Sequence, residues 1–216
     1  MTSHRTHDTM TSRLLPLLGL FLLAGCGVSP RTAREELDLD WPVGPFSLTE
    51  RSGRTVTDKD LRGSVWVASF VFTRCTGPCP SVAATVGQLH RELKDKPSIK
   101  FVTFTVDPAR DDLSTLREYA NNRQADPDRW LFLTGDEKTI HEVVAKQFKQ
   151  GVERIPDPDV KPGEEFEHST RLLLVDKNGV IRAFYPGLYD PKVHTSEAAF
   201  TADLERLKTR ARELAK

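Results

Sequence analysis

The chain carries no surplus of either charge. Its 31 Lys and Arg stand against 31 Asp and Glu, which gives no support to nucleic-acid binding, where a basic excess is usual. Only three of its 216 residues are cysteine. No internal repeat or low-complexity block interrupts it. Its longest apolar run, residues 14–23, is about half the roughly 20 residues that a membrane-spanning helix needs. What remains is 38% hydrophobic and 29% charged, the balance of a soluble globular protein, with length for one well-buried domain plus a tail and too little for two.

The short apolar run sits in "RLLPLLGLFLLAGC", residues 13–26. A single Arg, an apolar stretch and a small-residue ending are the order of a secretory signal, so residues 1–25 are read as targeting rather than fold. Leu23-Ala24-Gly25-Cys26 resembles the lipobox of bacterial lipoproteins, in which the cysteine becomes the lipidated N-terminus. Met10 offers a more conventional start, with a short charged region of Thr11-Ser12-Arg13 before the run. Residues 26–45, polar and ending in a Pro/Gly cluster, read as a flexible tether, leaving residues 46–216 as the domain. A lipidated Cys26 places that domain outside the cytoplasm, on the periplasmic side, anchored to the membrane. Only Cys75 and Cys79 are then left in the fold. In an oxidising compartment two such thiols form a disulfide unless something reduces or occupies them.

Along the domain, "FSLTERSGRTVT" reads as two short strands about Ser52-Gly53, a hairpin ahead of the core. "SVWVASFVF" (64–72) is the uninterrupted apolar run of a strand buried on both faces. The cysteines follow, and then Val82, Val86, Leu89 and Leu93 recur at helical spacing. The order repeats. "IKFVTFTV" (99–106) is a strand, "DDLSTLREYANN" (111–122) a helix with two acidic residues at its start, "WLFLT" (130–134) a strand and "DEKTIHEVVAKQF" (136–148) a helix. "TRLLLVD" and "VIRAFYPG" flank the hairpin signal Lys177-Asn178-Gly179, and a last helix runs from about Ser196 to Leu214. The expected architecture is α/β: a mixed, largely parallel sheet with helices on both faces and an N-terminal hairpin extension. Its closing hairpin and helix follow the order of a thioredoxin-like fold.

"FTRCTGPCPS" (72–81) puts three residues between Cys75 and Cys79. Redox pairs have two and zinc half-sites two to four, so spacing alone leaves electrons and metal both open. Position says more. Ligands of open α/β sheets gather at the C-terminal ends of strands, and Cys79 enters the first turn of a helix, whose unpaired N–H groups and dipole favour a thiolate. Pro80 suits that first turn, and Gly77 with Pro78 shapes the loop before it. A structural disulfide is the bland alternative, although such bonds usually close longer loops. With the loop wound helically at Cys79, both sulfurs reach a common centre. Two thiolates are an incomplete site for most metals, so a third ligand is to be sought.

Of six histidines, His4 and His7 precede or lie in the signal. His90 and His141 fall inside helices as surface or packing residues, and His194 in a loop expected to be solvent exposed. His168 immediately precedes "TRLLLV". In a thioredoxin-like fold that strand runs antiparallel to the cysteine strand and begins at the cysteines' edge. Asp107 ends "FVTFTVDP" at the same edge, either as a turn-former before Pro108 or as support for the site.

These segments together, "FVFTRCTGPCP", "FVTFTVDPARDD", "WLFLTGDEKTI" and "EHSTRLLLVDKNGVIRAFYPG", resemble the Sco/SenC family of membrane-tethered thioredoxin-like proteins, from about Phe46 to the last helix. The resemblance implies copper, Cu(I) or Cu(II), bound as one ion by Cys75, Cys79 and His168. Asp107 matches a family aspartate near the site, and the partner implied is the copper-accepting subunit of cytochrome c oxidase, at its binuclear copper centre. Two features depart from the family: Thr76-Gly77-Pro78 replaces the usual Pro-Asp/Glu-Val/Ile between the cysteines, and a lipobox replaces the transmembrane helix of many members. Thiolates suit Cu(I) and an added imidazole lets the site hold Cu(II). Zinc accepts the same donors, so copper rests on the resemblance.

Two functions follow from that reading. One is a copper chaperone, a transfer protein rather than a catalyst. The other is a thiol-disulfide oxidoreductase in which Cys75 and Cys79 reduce an acceptor's cysteines through a mixed disulfide. Thioredoxins place a cis-proline where Glu167-His168-Ser169 stands here, and a metal ligand at that position favours the chaperone. A peroxiredoxin-like peroxidase is a weaker reading still, because the proline of its Pro-x-x-x-Thr/Ser-x-x-Cys arrangement is missing before Cys75.

Overall fold

A computed structural model of the chain describes residues 39–216. The signal segment, Cys26 and the tether as far as residue 38 lie outside the described residues. Among the described residues no helix is long and apolar enough to cross a membrane.

Eight strands form one sheet: β1 (Trp41–Pro42), β2 (Ser47–Glu50), β3 (Thr55–Thr57), β4 (Val65–Val71), β5 (Ile99–Thr105), β6 (Trp130–Thr134), β9 (Arg171–Val175) and β10 (Val180–Pro186). Their spatial order is β1-β10-β9-β4-β5-β6-β2-β3. β4, β5 and β6 run parallel, and β9 lies antiparallel beside β4. Every residue of β4 is buried, as its unbroken apolar run requires when both sheet faces are covered. Strands β7 (Val152–Arg154) and β8 (Phe166–His168) form a separate two-stranded sheet.

Right-handed crossovers put successive connecting helices of β4, β5 and β6 on one face. On that face α1 (Cys79–Glu92) sets His90 against the rings of Phe101 and Trp130, and α2 (Leu113–Asn121) sets Tyr119 against Phe132. The final helix α4 (Glu197–Leu214) joins them, with Lys208 and Arg212 paired to Glu92 and Asp95 at the end of α1. The chain then crosses the other face through α3 (Glu137–Glu142) to reach β9. This is the thioredoxin-like arrangement with helices on both faces.

Three sequence expectations are corrected. The segment 136–148 is not one α-helix, because α3 passes into a π turn at Val143–Gln147. Phe148 N–H donates to Val143 O at 3.3 Å, and the wider turn delivers its ring onto Trp66, Phe70 and Phe104. Residues 39–43 belong to the fold rather than to the expected tether of residues 26–45. Leu39 N–H donates to Arg182 O, Trp41 and Pro42 pair with β10, and Val43 is buried, because β10 would otherwise leave an open edge. His194 is buried rather than exposed. Its ring packs between Tyr189 and Phe200, and Nδ1 meets the backbone of Asp190.

The entry point matters for orientation. Trp41 pairs with Ile181, Ile181 with Val175, and Val175 with Trp66 near the start of β4. The chain therefore joins the sheet at the edge opposite the cysteines.

Candidate metal centre

β4 ends at Val71, and Phe72–Pro78 form the loop that carries Cys75 to the start of α1. Cys75 N–H donates to Phe72 O at 3.2 Å, and Ser81 and Val82 N–H both reach Pro78 O at 3.1 Å to open the helix. Pro80 occupies the first turn, where a missing N–H costs nothing. Cys79 is the first helical residue. Both thiols are free and buried, so they sit in a dry setting beside the helix N-terminus.

His168 comes from β8, and the Sγ atoms of Cys75 and Cys79 lie with a ring nitrogen of His168 all within 4.8 Å of one another. Nδ1 lies 3.0 Å from the Ser169 carbonyl. A carbonyl only accepts, so Nδ1 carries the proton and the Nε2 lone pair is free. That nitrogen points at Cys79 Sγ, 3.1 Å away. A backbone carbonyl fixing the tautomer of a ligating histidine is the usual supporting partner of a metal site. The Phe72 ring meets the imidazole edge-on at 5.9 Å and limits its rotation.

The two thiols divide one proton unequally. Cys75 is held down at about 4, first by the hydrogen bond from the Cys79 thiol; burial opposes this, and the Cys79 and Gly77 N–H groups assist. Cys79 is pushed up by the Cys75 sulfur and by burial. The pair thus presents one thiolate and one thiol, and a cation binding between them displaces the remaining proton.

Asp107 is fully buried. It forms the turn after β5, accepting from Arg110 and Asp111 N–H, and its carboxylate faces Arg110 at 3.2 Å and Arg74 at 3.9 Å. It reaches the cysteine loop through the Arg74 side chain. Asp111 was missed as a site residue. Its buried carboxylate accepts from Thr73 N–H at 3.1 Å, Thr73 Oγ1 at 2.5 Å and Thr105 Oγ1 at 2.5 Å, tying the start of the cysteine loop to β5. No local signal set it apart: only the fold shows that Asp112 alone caps α2, accepting from Thr115 N–H, and that Asp111 has another task. Glu165, also missed, pairs with Arg74. His141 donates to Val106 O and packs on Phe166.

A thioredoxin-like scaffold presenting two thiols and an imidazole nitrogen to one point defines a class: thioredoxin-fold proteins with a Cys-Cys-His metal-binding group. The SCO1/SenC family model matches residues 35–202, and the chain belongs to that family. Three solved structures illustrate the likeness. A SCO1/SenC family lipoprotein from Bacillus anthracis str. Ames has 28% identity and a TM-score of 0.70, over 85% of this chain and 99% of its own. BsSco, a member of the Sco family of cytochrome c oxidase assembly proteins in which a disulfide switch was identified, has 26% identity and a TM-score of 0.67, over 85% and 98%. ScoI of Bradyrhizobium japonicum with copper bound has 28% identity and a TM-score of 0.60, over 76% and 98%.

Proposed function

We propose that this protein is a membrane-tethered copper chaperone that binds one copper ion through Cys75, Cys79 and His168 and passes it to the binuclear copper centre of cytochrome c oxidase. The observation that carries the reading is the convergence of the three ligand atoms within 4.8 Å, with Nε2 freed by the Ser169 carbonyl. The donors fit copper in both oxidation states: two sulfurs suffice for Cu(I), and the imidazole completes a site for Cu(II). Relatives with copper bound and in oxidase assembly support metal and destination. Lipidation at Cys26 provides the anchor, in keeping with the lipoprotein relative, and puts the domain on the periplasmic side. Leu39–Pro42 meet the sheet at the end opposite the cysteines, away from the edge where an acceptor would take the metal. Transfer proceeds by ligand exchange, the acceptor's donors replacing Cys75, Cys79 and His168 one at a time.

Anaerobic titration of the reduced domain with Cu(I) and Cu(II) tests this. Expected is about one equivalent of each, with Cys75→Ser weakening both and His168→Ala removing chiefly Cu(II). One equivalent of each retained by both variants would overturn the site. The second reading, a thiol reductase acting on the acceptor's cysteines, is favoured by the two free thiols paired at the start of α1, with Cys75 pushed down and Cys79 pushed up by the hydrogen bond between them, an arrangement suited to attack on a disulfide. Rapid reduction of an oxidised acceptor domain without copper would support it, and no reaction would leave the chaperone.

A further inference from the structure

His168 stands on a two-stranded sheet separate from the one that delivers the cysteines. A two-stranded hairpin is marginal on its own, so whatever fastens β7–β8 to the cysteine loop decides where the imidazole sits. Phe72 packs on Phe166 and His168 across this junction, and two polar ties add to that contact. Thr76 N–H donates to Gly163 O at 3.1 Å, and the Arg74 guanidinium pairs with the buried Glu165 carboxylate. Arg74 adjoins Cys75 and Glu165 lies three residues before His168, so the pair joins the two halves of the centre directly. Glu165 also accepts from Gly163 N–H at 2.8 Å, which holds in place the carbonyl that Thr76 uses. Gly163 has φ +95°, and a Cβ there would lie 2.7 Å from Arg74 O and 2.6 Å from Thr76 Cγ2; only glycine lets the two loops meet this closely. Asp107, fully buried, flanks Arg74 on its other side at 3.9 Å.

We infer that Arg74 and Glu165 are a latch that positions His168 against the cysteines and thereby sets the Cu(II) side of the site's copper preference. Neither residue is among the three candidate ligands; the pair acts through the hairpin. Two thiolates from one loop hold Cu(I) whether or not the hairpin is seated, whereas Cu(II) depends on the imidazole. Arg74 is 38% exposed on its side chain, so a docking partner can reach the latch and release His168 first. The inference rests on the copper reading for its metal arm and is independent of it for its structural arm.

The test uses Arg74→Ala, Glu165→Gln, the double variant and Arg74→Lys in the full domain. In the reduced, metal-free protein, amide hydrogen exchange at Thr76 is expected to speed up by about tenfold in each single variant, with thermal unfolding still cooperative. Cu(II) affinity is expected to fall by about tenfold or more, as for lost supporting partners of metal ligands, while Cu(I) affinity changes by less than about twofold. The double variant should lose no more than either single one, since both remove one interaction, and Arg74→Lys, keeping the charge without the fork, should fall between. Unchanged Thr76 exchange in both single variants overturns the latch, as does an equal loss of Cu(I) and Cu(II), which would locate the damage in the cysteine loop. If the wild-type domain binds no copper, the copper reading fails and the exchange measurement still decides the latch.

Discussion

Asp111→Ala probes the fastening beneath the cysteine loop. Its carboxylate is fully buried and accepts three hydrogen bonds from Thr73 and Thr105. Bonds to a charged partner are worth about 1.5–3 kcal/mol each, or roughly 4–9 kcal/mol together. Against this stands the desolvation of a buried carboxylate, of the order of several kcal/mol, and burial is the leading cause that lifts this carboxyl above its ordinary range, with the threonine bonds pulling it down. Thr73 is partly exposed and regains water on truncation. Thr105 keeps its bond from Asp107 N–H. The net cost of Asp111→Ala is therefore about 3 kcal/mol, a fall in Tm of roughly 6–12 °C for a domain of this size. Asp111→Asn keeps one acceptor oxygen, and a threonine hydroxyl can turn to accept from the amide, so its cost is about 1 kcal/mol. The pH dependence has a definite sign. A carboxyl raised in the fold stabilises most below its unfolded value of 3.8 and loses that contribution as pH rises through the folded one. The amide does not titrate, so the gap between wild type and Asp111→Asn should widen as pH falls from about 7 toward about 4. Urea unfolding at several pH values measures both effects. A loss under about 1 kcal/mol for Asp111→Ala would refute the reasoning, and so would equal losses for Ala and Asn, since those would make charge rather than accepted bonds the fastening.

Cys75, held at about 4, should react with iodoacetamide at a rate nearly flat between about pH 6 and 8, where an ordinary thiol speeds up about tenfold per unit; Cys79→Ala should restore that slope, and a steep slope in the wild type would contradict the shared proton. Phe148→Ala empties the place where the π turn seats a ring on three core aromatics and should cost about 3–5 kcal/mol in thermal or urea unfolding; under about 1 kcal/mol would mean that the face collapses around the gap. Ser196→Ala removes the cap that accepts from Ala199 N–H and should cost about 1 kcal/mol while leaving copper titration unchanged. A copper defect there would connect α4 to the metal edge in a way its packing does not.

The parallel strands, the two hairpins and the start of α1 are legible in the chain because they rest on local rules: unbroken apolar runs, Asn-Gly and Ser-Gly turns, Pro80 in a first turn. The π turn at Val143–Gln147 is not, because the same apolar spacing serves α- and π-winding, and the packing of Phe148 chooses between them. Nor is the burial of His194, which depends on Phe200 arriving from α4.

The sequence by itself determined the candidate side chains, their order and the strand edge at which each would emerge: Cys75 and Cys79 after a buried strand, His168 before another. Tertiary structure decided the rest. Only folding places the Ser169 carbonyl against Nδ1 so that Nε2 faces the sulfurs, sets Asp111 under Thr73 rather than at a helix cap, and joins Arg74 to Glu165 across 91 positions of chain, numbered 74 and 165. Contacts between residues so far apart have no local pattern to announce them, because they arise from which surfaces the sheet brings together.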